Sequence, residues 1–374
     1  MPLPTPESVS RRTVLGTALL PALAAAQRRS TEELPANWPR FDKKIRVGMV
    51  GLEGHPSLVY DVVAKHPELE LVAIAKDTVP VEGIRRREKF RDTKVYGSYQ
   101  EMFAKEKFDV VGVCNTNGHR AEAILAALDR GWHVAAEKPV ALSTEDLDAV
   151  RKRVASTKLG FTSLLPMRYT PELYTMGMMI HEGAVGDVLM MNGQKSYQLG
   201  ERAAWYKDAK LYGSTMLWIG VHQLDLMHWI SSQRFTSVYS YEKNVEAPDY
   251  GDMENVTGAV LHLANGGVAT LHMDYLRPKE AGSHGDDRLR VAGTKGILEY
   301  RIADGLSWLK DGSSEMLRPE LRRPQLPLFL EFLNSVYQNG TMLIRQDEIF
   351  HVVSTLIAAR KSAVSGSSVT VSQG

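Results

Sequence analysis

The chain has 374 residues, of which 44% are hydrophobic, so it is long and apolar enough to form a globular protein of two domains. A formal net charge of +1 excludes nucleic-acid binding that depends on bulk positive charge. The single cysteine, Cys114, excludes an intrachain disulfide and any metal site built from several cysteines.

The N-terminus has the features of an export signal. Ser10-Arg11-Arg12-Thr13 precedes an apolar run, Val14–Ala26, which ends in three alanines. A twin-arginine pair, a short apolar core and small residues at a cleavage site predict a Tat signal peptide over residues 1–27, and hence a periplasmic or secreted protein. An uncleaved anchor or a chance N-terminus is the alternative, although the run is short for a stable membrane span. Residues 28–43 are polar, contain proline and are expected to form a linker.

Between residues 44 and 160, short apolar strands alternate with helical patterns. The strands are expected at Ile45–Val50, Leu69–Ala75, Val95–Tyr96, Val110–Cys114 and Val134–Ala136. Helices are expected after the first strand and at Val81–Phe90, Ser98–Lys105, Arg120–Arg130 and from Ser143 to about Ala155. This alternation predicts an α/β fold whose first domain is a doubly wound parallel sheet, the Rossmann arrangement that binds dinucleotides.

The last of these strands runs into Glu137-Lys138-Pro139. Proline cannot continue a strand ladder, so Pro139 leaves the two charges at the carboxyl end of the strand. Ligands bind at that end of open α/β sheets, and we therefore expect Lys138 to lie between a dinucleotide and a substrate. The alternative is a solvated Glu–Lys pair at the tip of a strand.

The turn after the first strand only partly follows the dinucleotide-binding pattern. Aligned on Gly51, the three glycine positions of G-x-G-x-x-G hold Gly51, Glu53 and Pro56, and Gly54 is one place late. Lys76 stands where an acid usually holds the adenosine ribose, which favours NADP or indicates a decayed adenosine site. The candidate cofactor contacts are Gly51, Gly54, His55, Lys76, Thr116, Asn117, Glu137 and Lys138.

Residues 161–374 have a different pattern, in which most strands follow one another without helices. They are expected at Val188–Tyr197, Phe235–Tyr241, Val256–Leu263, Val268–Tyr275, Arg288–Val291 and Gly296–Tyr300. This predicts a C-terminal α/β domain with an open, largely antiparallel sheet, one face of which is covered by helices or by a second subunit. Helices are expected at Pro171–Glu182, Val221–Ile230 and within Leu326–Ser365.

Several motifs occur together in one order. They are Glu137-Lys138-Pro139, Met167-Arg168-Tyr169-Thr170-Pro171, Gly183-Ala184-Val185-Gly186-Asp187, Gly220-Val221-His222-Gln223-Leu224-Asp225 and Arg290-Val291-Ala292-Gly293-Thr294-Lys295-Gly296. With these motifs the chain, from about Lys44 to Val371, resembles the Gfo/Idh/MocA oxidoreductase family, typified by glucose–fructose oxidoreductase and inositol dehydrogenase. The resemblance implies a Rossmann domain that binds NAD or NADP, a sugar-like or polyol substrate, and a C-terminal sheet that often forms dimers or tetramers.

The resemblance also implies roles for individual residues. Lys138 lies where the family lysine approaches the nicotinamide and the substrate hydroxyl. His222 matches the histidine of the family pattern Asp-x-x-x-His, but Trp218 stands in the place of its aspartate. Arg168 matches a position near the active site, and Tyr197 and Trp205 lie in the segment that approaches the cleft. We therefore predict Arg168, Tyr197, Trp205 and Trp218 as substrate contacts.

Oxidation of a secondary alcohol needs a group that takes the hydroxyl proton. Histidine suits this work because its pKa is near neutral, and a buried lysine can share it. We expect Lys138 and His222 to handle the proton, with Asp225, one helical turn further on, orienting His222. The alternatives are a structural His222 bonded to backbone, a Trp218 that is simply a buried aromatic, and an Arg168 that braces the domain junction. No histidine spacing indicates a metal site.

Three functions agree with this sequence. The first is an exported NAD(P)-dependent oxidoreductase that holds its cofactor tightly and acts on a sugar or polyol. The second is a redox-neutral lyase, hydrolase or epimerase that oxidises a sugar carbon only transiently. The third is a carbohydrate-binding relative that has lost catalysis, as Glu53, Pro56, Lys76 and Trp218 would allow.

Overall fold

A computed structural model describes residues 34–373, so the predicted signal peptide and the first part of the predicted linker lie outside the described residues. Residues 34–43 contain neither a helix nor a strand. Trp38 and Phe41 hold this segment on the N-terminal half of the protein, because both rings pack against the imidazole of His66. No helix of the described residues is long and apolar enough to cross a membrane.

The N-terminal half is a six-stranded parallel sheet. Its strands are β1 (Ile45–Val50), β2 (Leu69–Ala75), β3 (Lys94–Tyr96), β4 (Val110–Val113), β5 (His133–Glu137) and β6 (Phe161–Leu164), in the order β3-β2-β1-β4-β5-β6. This is the strand order of a dinucleotide-binding Rossmann sheet, and the expected fold class is confirmed. The central strands are mostly apolar and buried because helices cover both faces of the sheet.

Five helices accompany this sheet. They are α1 (Ser57–Lys65), α2 (Glu82–Arg85), α3 (Tyr99–Lys105), α4 (Arg120–Leu128) and α5 (Thr144–Ala155). The Ser143 hydroxyl caps α5 by accepting a hydrogen bond from the amide of Asp146. The helix expected over Val81–Phe90 is instead broken at Arg87, whose backbone is extended and whose guanidinium bonds to Asp61. Strand β6, beyond the boundary expected at residue 160, belongs to the parallel sheet.

The C-terminal half contains a nine-stranded sheet. Its strands are β7 (Val188–Gln198), β8 (Phe235–Lys243), β9 (Val256–Leu263), β10 (Val268–Arg277), β11 (Gly285–Gly293), β12 (Gly296–Arg301), β13 (Gly305–Lys310), β14 (Met316–Leu317) and β15 (Val369–Thr370). Their order is β14-β13-β12-β11-β7-β10-β9-β8-β15, and only β7 and β10 pair in parallel. The open, mostly antiparallel sheet is therefore confirmed, with three further strands, β13, β14 and β15, that the pattern did not indicate.

Helices cover one face of this sheet. They are α6 (Pro171–His181), α8 (Val221–Ser231) and α10 (Gln346–Ser365), whereas α9 (Leu328–Gln338) packs on α1 and β6 of the N-terminal half and α7 (Ala209–Tyr212) is a short turn before the π-helical segment. Helix α8 lies among α6, α10 and strand β7, and all of its residues are buried. The opposite face of the sheet exposes large apolar side chains, which are Met190, Tyr239, Tyr241, Val260 and Leu276.

Two features of this fold position the candidate site. The first is the carboxyl end of β5, where the chain leaves the parallel sheet at Glu137. The second is the start of α8, which follows a single π-helical turn at Met216–Gly220. A π-helical turn is rare and is often found at a functional site. Lys138 of the first element and Trp218 of the second contact each other, so the two halves of the protein meet there.

Candidate active site

Lys138 is buried at the carboxyl end of β5, with only 3% of its surface exposed. Its Nζ donates a hydrogen bond of 2.6 Å to the carbonyl oxygen of Trp218 and lies 3.4 Å from the centroid of the Trp218 ring. Burial lowers the pKa of Lys138 to about 7; Glu137 opposes this shift, and the cations of Arg120 and Lys195 reinforce it. The solvated Glu–Lys pair considered above is therefore not what the structure contains, and Lys138 can hold or release a proton near neutral pH.

Glu137 is fully buried and is bonded to the glycine loop. Its Oε1 lies 2.9 Å from Nδ1 of His55, and its Oε2 accepts a hydrogen bond of 3.1 Å from the His55 amide. Burial alone would raise the pKa of the Glu137 carboxyl, but its contact with His55 and the charges of Lys138 and Arg120 outweigh burial and hold that pKa below its usual value. Glu137 is therefore an anion that ties the end of β5 to the loop after β1.

Arg120, at the start of α4, was not a candidate from the sequence. It is fully buried, and its guanidinium donates hydrogen bonds of 3.0 Å to the carbonyl oxygens of Lys138 and Pro139. It also donates to the side chain of Asn117 at 2.8 Å. These bonds hold the backbone of the Glu137-Lys138-Pro139 turn in place. An arginine in the first turn of an amphipathic helix usually extends into solvent, so the sequence offered no signal for this role.

His222, in the first turn of α8, is 7% exposed, and its ring lies edge-to-face with that of His55, with centroids 5.2 Å apart. Burial, together with the cations Lys138 and Lys195, holds the pKa of His222 well below its usual value. The imidazole is therefore neutral at physiological pH. Its Nδ1 is buried, and no described residue is hydrogen-bonded to it.

Asp225 does not orient His222, contrary to the expectation from their helical spacing. Its two carboxylate oxygens accept hydrogen bonds of 2.9 and 2.6 Å from Arg168. Arg168 is also fully buried and donates to Glu348 at 2.6 Å and to the carbonyl of Leu343 at 2.9 Å. Arg168 and Asp225 therefore join α8 to the start of α10 and the residues just before it, and neither is placed to touch a substrate. Arg168 therefore has the geometry of a brace at the domain junction, which was the alternative to its role as a substrate contact.

Lys195 is a second buried lysine that the sequence analysis missed. Its Nζ lies 2.5 Å from Asp287 Oδ2 and 5.4 Å from the centroid of the Tyr197 ring. Burial lowers the pKa of Lys195, but Tyr197 and Asp287 outweigh it and raise that pKa above its usual value, so Lys195 is a fixed cation. Its burial could have been predicted from the alternation along β7, in which Met191, Gly193 and Lys195 all face inward.

The predicted substrate contacts on the C-terminal side form an aromatic cluster. Trp205 is buried against Trp218 and Tyr206, with ring centroids 5.6 and 4.1 Å away. Trp218 is 7% exposed and covers Lys138. Tyr197 is partly exposed and stacks on His284 at 5.0 Å. Of this group, Tyr197 is the best placed to meet a substrate, whereas the indoles of Trp205 and Trp218 are mostly covered by protein.

The glycine loop keeps two features needed to hold a dinucleotide. Gly51 and Gly54 have φ values of +69° and +71°, and a Cβ at Gly54 would lie 2.4 Å from Glu137 Oε1. Among the described residues, no acceptor is bonded to the Gly54 amide, which precedes the N-terminus of α1. Phosphate binds to free amides at such a helix start. The Glu53 amide is already bonded to the Cys114 carbonyl at 2.7 Å. These residues fit a dinucleotide, with fewer phosphate donors than a full glycine loop has.

Several other residues near the glycine loop interact with groups within the protein. Glu53 is buried, and burial followed by the charge of Asp77 raises its pKa to about 7, which reduces its repulsion of a phosphate near neutral pH. The amide and hydroxyl of Thr116 both donate to Asp77, while the Asn117 side chain donates to the Tyr212 carbonyl at 2.9 Å. Lys76 is exposed at the end of β2.

In residues 34–373, no three His, Cys, Asp or Glu side chains lie close enough together to hold a metal ion. The histidines there have other partners. The nearest pair, His228 and His351, bond instead to the Gln233 carbonyl and to the Phe235 amide.

Two family models match the chain. Residues 45–163 match the oxidoreductase family with an NAD-binding Rossmann fold, and residues 174–299 match the GFO/IDH/MocA C-terminal domain. Together they account for more than half of the chain. The chain belongs to the Gfo/Idh/MocA family of oxidoreductases. These matches confirm the resemblance found in the sequence motifs. They also confirm the prediction of an enzyme with an N-terminal domain of the NAD-binding type.

Individual relatives are distant. Glycosyl hydrolase family 109 protein 2 of Phocaeicola vulgatus is 24% identical over 292 residues, which are 68% of this chain and 70% of its own length. Inositol 2-dehydrogenase of Salmonella typhimurium is 24% identical over 203 residues, 53% of this chain and 56% of its own. A solved structure from Thermotoga maritima, assigned to an oxidoreductase, matches with a TM-score of 0.82 and 29% identity over 87% of this chain and 100% of its own.

The Arg168–Asp225 brace gives a stability prediction. Asp225→Ala leaves the Arg168 cation buried without its bidentate partner, so we expect the free energy of unfolding to fall by about 3–5 kcal/mol, measured by urea denaturation. Asp129→Ala is the matched control, since Asp129 pairs with Arg153 at the surface with 64% of its side chain exposed. It should cost less than about 1 kcal/mol. If Asp225→Ala loses turnover but is as stable as Asp129→Ala, Asp225 acts on the chemistry instead.

Proposed function

We propose that this protein is an exported NAD(P)-dependent oxidoreductase that acts on a secondary hydroxyl of a sugar, a polyol or a derivative. The observation that carries the proposal is Lys138, which is buried at the carboxyl end of β5 with its pKa lowered to about 7. A lysine in that state can take a hydroxyl proton near neutral pH. Membership of a family of oxidoreductases supports this use over a purely structural one.

The residues of the site divide the work between cofactor and proton. Gly51, Gly54 and Glu137 would hold the dinucleotide, which supplies the hydride acceptor when it is bound. Neutral Lys138 would take the hydroxyl proton, and neutral His222 would bond to the same oxygen through a free ring nitrogen. Lys195 would help by keeping positive charge next to both groups, since a nearby cation favours their neutral forms.

The sugar-like or polyol substrate is supported by the relatives. One is named an inositol 2-dehydrogenase and another a glycosyl hydrolase family 109 protein. The second name also favours the redox-neutral alternative, in which hydride leaves the sugar and returns to it within one turnover. The choice of cofactor follows from Lys76, whose exposed ammonium replaces the usual ribose-binding acid and would attract the 2′-phosphate of NADP.

The exposed face of the C-terminal sheet supports a homo-oligomer. It carries Tyr239, Tyr241 and Val260 side by side on neighbouring strands, since Tyr239 pairs with Val260 in the sheet register. Apolar side chains grouped on an otherwise polar sheet face often mark a subunit interface. Light scattering of the purified protein should give the mass of a dimer or tetramer; a monomer of 41.6 kDa or less would contradict this.

Bound nucleotide gives the first test. Protein purified from its native host should release NAD(P) on acid precipitation, identified by mass spectrometry, because an exported enzyme meets little free dinucleotide and must retain its own. NADP is the expected form. Calorimetry with added NAD and NADP then completes the test. A protein that carries neither nucleotide and binds neither when added would contradict both the oxidoreductase and the redox-neutral enzyme.

Turnover and its pH dependence test Lys138. Lys138→Met should lower kcat by about 10²- to 10⁴-fold, the usual contribution of general acid–base catalysis. In the wild type, alcohol oxidation should increase as the pH rises through about 7, since the neutral amine is the base and its fraction grows with pH. Lys152→Met, at an exposed position of α5, is the control and should retain activity. Full activity in Lys138→Met would remove Lys138 from the mechanism, and net formation of reduced cofactor would favour the dehydrogenase.

Export is tested by the mature N-terminus. Mass spectrometry of the protein secreted by its native host should show a start near Gln27, and Arg11→Lys with Arg12→Lys should keep the full-length chain inside the cell. A mature protein that retains residues 1–26 would contradict a cleaved signal.

A further inference from the structure

His55 has an arrangement that a cofactor-contacting loop residue does not need. Two bonds to Glu137 fix it, one from its amide and one at Nδ1 of its ring. A buried carboxylate that accepts from one imidazole nitrogen selects the tautomer with the proton on that nitrogen, as in the catalytic triads of hydrolases. The other nitrogen, Nε2, then has a free lone pair and can accept a proton.

His55 is also the solvent-accessible member of a buried group. Its side chain is 33% exposed, whereas that of Lys138 is only 4% exposed and His222 is buried. The rings of His55 and His222 are in edge-to-face contact, with centroids 5.2 Å apart. A proton taken up at Lys138 or His222 therefore has little direct access to water from either side chain, whereas His55 contacts both the His222 ring and the solvent.

We propose that His55, oriented by Glu137, relays the substrate's hydroxyl proton from the Lys138–His222 site to solvent. The inference rests on the proposed function, which supplies the proton. The relay moves protons only: Nε2 of His55 accepts one while Nδ1–H remains bonded to Glu137, and the imidazolium then releases the proton from Nε2 to water. Glu137 stabilises the transient cation and stays ionised throughout. In the reverse reaction the same path delivers a proton to the carbonyl oxygen.

The competing explanation is that His55 only closes the glycine loop over Glu137. Two variants separate the explanations. His55→Gln keeps a side-chain amide that can donate to Glu137 but cannot carry a proton, and His55→Ala leaves a cavity that imidazole can enter. His262→Gln, at an exposed position of β9, is the control and should retain the wild-type kcat.

Kinetics provide the decisive test. We expect both His55 variants to lower kcat about tenfold to a hundredfold with little change in KM, and to increase the solvent isotope effect in D₂O, because the proton leaves more slowly. Added imidazole should restore much of the kcat of His55→Ala. An unchanged kcat in the His55 variants would overturn the relay. So would a loss of kcat that imidazole does not restore and that is matched by a loss of nucleotide affinity. A wild type that binds nucleotide but turns over no sugar or polyol contradicts the proposed function.

A measurement without turnover tests the geometry of the pair. In ¹⁵N NMR of the histidine rings, the neutral imidazole of wild-type His55 should show the Nδ1–H tautomer, with its signals assigned by their loss in His55→Gln. Glu137→Gln should shift His55 towards the commoner Nε2–H form. A wild-type His55 with its proton on Nε2 would overturn the proposal whatever the kinetics, because the accepting nitrogen would then be occupied.

Discussion

The structure depends on burying two ionisable side chains, Glu137 and Lys138, where a parallel strand ends. Each buried polar group needs a specific partner, since an unpaired polar or charged group in the interior is unfavourable. Glu137 is paired by His55, and Lys138 donates to the Trp218 carbonyl. The first bond fixes the glycine loop and the second fixes the start of α8. The cofactor loop, the proton-handling lysine and the C-terminal domain are therefore positioned by one dipeptide.

This arrangement also destabilises the folded protein at neutral pH. Lys138 has a pKa of about 7 in the folded state, well below the usual value of 10.5 for an exposed lysine. The unfolded chain therefore binds the proton more tightly, and stability from this group increases as the pH rises between these two values. A structural residue would not be expected at such a position, whereas a site that needs a neutral amine explains it.

Much of this was predictable from the sequence, and the exceptions have a physical reason. The strand that ends at Glu137 was predicted because proline stops a ladder, and the motif order identified the family. The pairing of Asp225 with Arg168 could not be predicted in this way. Helical spacing identifies only neighbours on the same helix, and Arg168 is 57 positions from Asp225 in the sequence. Lys195 could have been found from its inward position in β7. Trp218, in the place of the family aspartate, contacts Lys138 through its main-chain carbonyl and its ring face.

The central claim is that the fold keeps Lys138 close to neutral. NMR titration of the ¹⁵N-labelled lysine side chains, with the Lys138 signal assigned by its loss in Lys138→Met, measures this directly in the substrate-free protein. The account predicts a pKa of about 7 for Lys138. A Lys138 pKa at or above 10 would contradict it, because the lysine would then be a buried cation with no neutral form available for the chemistry.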